Sequence, residues 1–112
     1  ILLLQVLANL VRNAIDAMKD VPLNARILTL AVGLQESGDI LFSVADRGPG
    51  FDDAAVDAMF SPFFTTKAEG LGLGLAICSS VAEAHGGRLW AANRPQGGAV
   101  FFLSIPAQGA AA

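Results

Sequence analysis

Basic residues are scarce in this 112-residue chain, with seven Lys and Arg against ten Asp and Glu and a formal net charge of −3. A surface that holds nucleic acid needs a clustered excess of positive charge, so that class of partner is excluded. Cysteine occurs once, as Cys78, which rules out an internal disulfide and points to a reducing, cytoplasmic setting. No basic segment lies near Cys78 to sharpen its thiol, so it reads as a small core residue. No uninterrupted apolar run approaches the roughly 20 residues that span a bilayer. The apolar start lacks the basic segment of a signal peptide.

What is abundant is apolar surface. Hydrophobic residues make up 54% of the chain and the mean hydropathy is +0.56, which implies a closely packed core or a face that meets a partner. The length suits one domain, over residues 1–106, with 107–112 (AQGAAA) as a tail or linker. Hydrophobic periodicity predicts a helix over Leu2–Lys19, ended before Pro22, and two strands over Arg26–Leu34 and Asp39–Ala45 around the turn QESGD. A short helix follows in DDAAVDAMF, then a loop from Ser61 to Gly70 and a helix from Gly72 to His85 capped by Gly86 and Gly87. GRLWAAN and GAVFFLSIP are strands joined by RPQGG. That order predicts an α+β two-layer sandwich: a mixed, mostly antiparallel sheet covered on one face by about three helices.

Four stretches carry chemistry. On the first helix Gln5, Asn9, Arg12, Asn13 and Asp16 share one stripe while Leu, Val, Ala and Ile fill most of the rest, predicting a buried helix with one polar seam. Solvated faces are usually Lys and Glu, and each Asn costs roughly several tenths of a kcal/mol of helix propensity, so two of them a turn apart need a use. Amide oxygens suit Mg²⁺, which keeps waters and substrate phosphates around it, making Asn13 the candidate metal ligand with Asn9 and Arg12 beside it.

Asp46 ends a strand and opens DRGPGF, where Gly48 and Gly50 give the backbone freedom. Its carboxylate can only accept hydrogen bonds, which fits an NH₂ group such as that of adenine, although Asp and Gly are also common in ordinary turns. Gly70, Gly72 and Gly74 alternate with Leu71 and Leu73 at the start of the longer helix, a place where exposed N–H groups and the helix dipole can hold phosphate. No Gly-Lys-Ser or Gly-Lys-Thr follows, so this is not a Walker A loop. Lys67, in FSPFFTTK, stands three residues before Gly70, within reach of a phosphate as a point charge.

NLVRNAIDA, DRGPGF, FSPFFTTK and GLGLGL resemble, in order, the N, G1, F and G2 boxes of the ATP-binding domain of sensor histidine kinases, in the GHKL superfamily with the Bergerat fold. QVLANLVRNAIDAM, FSPFFTTK and AHGGRLWAAN are especially similar to kinases of nitrogen- and dicarboxylate-sensing two-component systems. The resemblance implies ATP and Mg²⁺ as ligands, with Asp46 on adenine and Asn13 on the metal. Asn9, Arg12, Asp16, Gly48, Gly50, Lys67, Gly70, Leu71, Gly72, Leu73 and Gly74 complete the ATP site.

Relatives that hydrolyse ATP carry a Glu four residues before the metal-binding Asn; here that position is Asn9, and an amide cannot act as a general base. The resemblance therefore implies phosphoryl transfer to a histidine on a separate dimerisation domain, and a response regulator downstream. The full-length protein is then a homodimer whose catalytic part is cytoplasmic, with a membrane anchor left open. His85, the only histidine here, reads as a helix C-terminal cap or a partly buried structural group. The chain opens inside a helix, as a piece of a longer protein does. The alternatives are a non-enzymatic nucleotide-binding or interaction module of the same fold, and a self-contained GHKL ATPase.

Overall fold

The computed structural model describes residues 2–52, 60 and 71–106, and of residues 2 and 71–74 the backbone alone. The first helix, α1, spans Leu2–Ala17, two residues short of the expected end. The chain just past its exit is held by Arg26, whose guanidinium donates to the carbonyls of Val21 (2.6 Å) and Lys19 (2.8 Å). After a 3₁₀ turn at Leu23–Ala25 come β1 (Thr29–Leu34) and β2 (Asp39–Ala45), then the second helix, α2 (Leu71–Ala84), and strands β3 (Arg88–Asn93) and β4 (Ala99–Pro106).

The sheet order is β1-β2-β4-β3, and every described pairing is antiparallel. The C-terminal hairpin thus feeds β4 into the centre, beside β2, while β3 takes the edge. The expected sandwich is present with two α-helices; the third, expected in DDAAVDAMF, falls on 53–59 and lies outside the described residues, as does the loop from Ser61 to Gly70.

One face of the sheet meets the helices. Val6, Leu10 and Ala14 of α1 and Leu75, Cys78 and Ala82 of α2 pack with Val44, Leu89, Ala91, Phe101 and Leu103 from the three strands β2, β3 and β4. Cys78 is therefore the core residue its sequence neighbours predicted. Leu89 faces Leu103 and Ala91 faces Phe101 in register, so alternation sends Trp90 and Phe102 to the opposite face, where they stack at 5.2 Å. Arg88 lies over the Trp90 ring at 4.5 Å, a cation–π contact that covers it from solvent.

α1 is not buried all round. Leu4 and Ile15 are 70% and 58% exposed, because the helix lies on the outside of its layer and only the side carrying Val6, Leu10 and Ala14 meets the sheet. The two described α-helices also stop short of β1. Leu30, Val32 and Leu34 pair with Val44, Phe42 and Ile40, so they share the face that carries the core, yet all three are more than half exposed. The apolar surplus in the composition therefore sits in both places, in the core and on uncovered surface.

α2 ends as its glycines predict. The Gly86 N–H donates to Glu83 (2.9 Å) and the Gly87 N–H to Ala82 (2.8 Å), the paired bonds of a Schellman motif, with Gly86 at φ +79°. His85 caps the same end by donating from Nδ1 to the Val81 carbonyl at 2.9 Å. It is exposed rather than partly buried.

Candidate functional site

The polar stripe of α1 is graded rather than uniform. Gln5 and Arg12 are exposed, Asn9 and Asp16 are half-buried, and Asn13 is 8% exposed. Asp16 is already engaged with a neighbouring group. Asn13 is different: its Oδ1 is buried and, among the described residues, has no hydrogen-bond partner. An unsatisfied buried carbonyl oxygen costs about 1–3 kcal/mol, so its persistence calls for a ligand. A hard cation fits that oxygen. Among the described residues no group of three or more His, Cys, Asp or Glu side chains could hold a metal by itself, so an ion at Asn13 would share its coordination with water or a bound phosphate.

Asn9, one turn earlier, points across to α2 and donates from Nδ2 to the Cys78 sulfur at 3.1 Å. Asn9 and Arg12 line an open groove of about 350 Å³ between the two helices, with Val6, Cys78, Val81 and the exposed Ile77. Burial pushes the Cys78 thiol above its ordinary value of 9.0, while the Asn9 bond works in the opposite direction. Sequence reasoning placed Asn9 at the site but missed its partner, since 69 residues separate the two.

Asp46 lies at the end of β2 and is 2% exposed. Both described contacts of its carboxylate fall on Oδ1, which accepts the N–H of Gly48 (2.8 Å) and of Ala99 (3.2 Å). Two backbone donors on one oxygen fix the carboxyl plane. Gly48 is required by close approach: a Cβ there would stand 2.6 Å from the Ala17 carbonyl at the end of α1. The same helix end accepts the Arg47 N–H at Met18 Sδ (3.3 Å), so the Asp46 loop and α1 are docked together.

The other wall of the loop comes from the β3–β4 turn, which sequence reasoning did not single out. Asp46 N–H donates to the Ala99 carbonyl (2.9 Å), and Arg94 Nη1 donates to the Asp46 carbonyl (3.0 Å). Asn93 pairs with Phe51 in both directions, Oδ1 accepting the Phe51 N–H at 2.9 Å and Nδ2 donating to its carbonyl at 2.6 Å. No local signal marks Asn93 or Arg94, because their partners lie more than 40 residues away.

Gly72 and Gly74, with Leu71 and Leu73, occupy the first turn of α2, where the leading backbone N–H groups of a helix have no intrahelical acceptor. Lys67 and Gly70 lie outside the described residues. Phe60 and Phe51 both set ring edges against Phe101, at 6.3 and 6.2 Å, anchoring the chain on both sides of 53–59.

Known proteins of one family resemble this chain in sequence and fold. Residues 1–109 match the family described as "Histidine kinase-, DNA gyrase B-, and HSP90-like ATPase". The chain is 46% identical over 103 residues to the sensor histidine kinase TmoS of Ectopseudomonas mendocina, covering 91% of this chain and 11% of that protein. It is 43% identical over 106 residues to the C4-dicarboxylate transport sensor protein DctS of Rhodobacter capsulatus, covering 95% of this chain and 16% of that one. A solved catalytic domain of the histidine kinase ThkA, in a nucleotide-free form, superposes with a TM-score of 0.78 at 40% identity, covering 91% of this chain and 64% of that one. The chain thus spans a small part of the curated relatives it matches. It belongs to the histidine kinase-, DNA gyrase B- and HSP90-like ATPase family, as an ATP-binding catalytic domain of the sensor histidine kinase type.

Proposed function

We propose that the chain binds Mg·ATP and presents its γ-phosphoryl to a histidine on a separate dimerisation domain of a two-component sensor kinase. The observation that carries this is the buried Asn13 Oδ1, which lacks a hydrogen-bond partner among the described residues. Asp46, held by two backbone N–H groups, is the acceptor for the adenine amine, with Gly48 and Gly50 shaping its loop. Asn9, Arg12 and Asp16 serve the metal's waters or the phosphates. Leu71, Gly72, Leu73 and Gly74 border the phosphates through their backbone, with Lys67 and Gly70 beside them. A bound Mg²⁺ would supply positive charge against the phosphate oxygens.

In the transfer an N–P bond forms at the acceptor imidazole as the P–O bond to ADP breaks. ADP keeps the electron pair and the imidazole releases its N–H proton. The only histidine of this chain caps α2 at the end opposite its glycine-rich start, about 20 Å away along a 14-residue helix, which supports an acceptor elsewhere. Residues 1–106 form the catalytic unit. The whole kinase is a homodimer that passes the phosphoryl group to a response regulator.

Calorimetric titration with a non-hydrolysable ATP analogue, with and without Mg²⁺, tests the site. The wild-type chain should bind, Asp46→Asn should weaken binding about 10- to 100-fold through loss of a charged hydrogen bond, and Asn13→Ala should abolish the Mg²⁺ enhancement. No binding by the folded chain would favour an interaction module instead. Steady ATP turnover by the chain alone would favour a self-contained ATPase, against which the amide at Asn9 argues.

A further inference from the structure

The turn between β3 and β4 reaches the Asp46 loop at several points, and its contacts are of an unusual kind. Asn93 replaces a strand partner. Its amide matches both backbone groups of Phe51, at 2.9 and 2.6 Å, in the pattern one peptide unit offers another. The loop accommodates that approach through Gly50, at φ +76°, where a Cβ would stand 2.6 Å from Asn93 Oδ1. Arg94 then ties the turn to the start of the loop, its Nη1 donating to the carbonyls of both Asp46 (3.0 Å) and Gly97 (3.1 Å).

Gly98 closes the third contact. At φ +93° it brings the backbone so near that a Cβ would stand 2.1 Å from the Asp46 carbonyl, and this approach lets the Ala99 N–H reach Asp46 Oδ1. None of these groups need touch a base. Each limits how the Asp46 carboxylate can turn or recede.

We infer, on the footing of the nucleotide site proposed above, that Asn93 and Arg94 are positioning residues for base selection: they clamp the loop Asp46–Phe51 so that its carboxylate meets a purine amine at a set angle. A hydrogen bond weakens steeply with misalignment, so a loosened loop loses selectivity for the amine before it loses the fold. Neither Asn93 nor Arg94 belongs to the core cluster, but Phe51 packs against it and the Arg94 bond to Asp46 is part-buried, so the melting temperature of each variant is read alongside its selectivity.

The test compares the affinities of the 112-residue chain for ATP and for inosine triphosphate, which carries a carbonyl where adenine carries its amine. Wild type, Asp46→Asn, Asn93→Ala, Asn93→Asp and Arg94→Ala are titrated at fixed Mg²⁺, and the melting temperature of each is recorded. Asn93→Ala and Arg94→Ala should reduce the preference for ATP about five- to tenfold while inosine triphosphate affinity stays within about twofold, a split that general loosening does not produce. Asn93→Asp keeps the acceptor for the Phe51 N–H but loses the donor, and should fall between wild type and Asn93→Ala.

Equal losses for both nucleotides, or unchanged preference in Asn93→Ala and Arg94→Ala while Asp46→Asn abolishes it, would overturn the clamp and leave the nucleotide site standing. A wild type that shows no preference, or whose preference survives Asp46→Asn, would overturn the adenine role of Asp46 and the clamp with it.

Discussion

At the scale of single residues, burial decides what Cys78 can do. The side chain is 4% exposed and its thiol holds its proton more tightly in the folded chain than in the unfolded one, chiefly because the thiolate would be desolvated. That preference favours the native state fully below the ordinary thiol value of 9.0 and is lost as pH rises from there through the higher folded value. Urea unfolding of wild type at pH 7 and pH 10, set against Cys78→Ser, should show an alkaline loss that the serine variant lacks. Iodoacetamide should label the folded chain at pH 8 at least about tenfold more slowly than the urea-unfolded chain. Equal rates would mean the sulfur is open to the groove.

The contrast between Asn9 and Asn13 belongs to the same scale. Both were legible in the sequence as costly amides in an apolar helix, but their difference was not. Asn9 has a sulfur to donate to, and Asn13 has a buried oxygen left over. Only the neighbours supplied by α2 distinguish an amide that is tethered through its nitrogen from one whose oxygen is buried without a partner among the described residues.

Among the elements, β1 and β4 are opposites. β4 lies between two strands and carries Leu103 with no exposed surface, whereas β1 is exposed along its whole length and pairs on one side only. Leu103→Ala should therefore cost about 2–5 kcal/mol, and Val32→Thr, at a position 67% exposed, less than about 0.5 kcal/mol. Denaturant midpoints at constant slope would check both; a large loss at Val32 would mean that β1 is covered in solution. The alternation of ILTLAVGL announced a strand, and its even residues do share the core-bearing face. That neither described helix covers them could not be read locally, because helix placement depends on which strands α1 and α2 reach.

Across the whole molecule, the candidate site lies where α1, the Asp46 loop and the β3–β4 turn meet. A ligand held by α1 and by the Asp46 loop that the turn braces should stabilise the fold as a unit, by about 2.7 kcal/mol at a free concentration a hundred times its dissociation constant. For a domain of this size that corresponds to a rise in melting temperature of roughly 10–15 °C. Mg²⁺ with a non-hydrolysable ATP analogue should produce it in the wild type, and Asp46→Asn should not show it at the same concentration. Equal shifts in both would place the ligand away from Asp46.

Sequence alone determined the kinds and order of the described elements and the glycines at the turns and caps, and it supplied the residues proposed for metal, base and phosphate. Those features depend on neighbours within a turn or a strand repeat, where periodicity, backbone freedom and side-chain chemistry act directly. Tertiary structure alone decided that β4 inserts beside β2, that β1 is exposed along its length, that Asn13 keeps an oxygen without a partner among the described residues, and that Asn93 and Arg94 brace a loop more than 40 residues away. Such contacts join segments remote along the chain. Which of them form is settled by packing a shared core of the two described α-helices on three strands, a choice that no local pattern encodes.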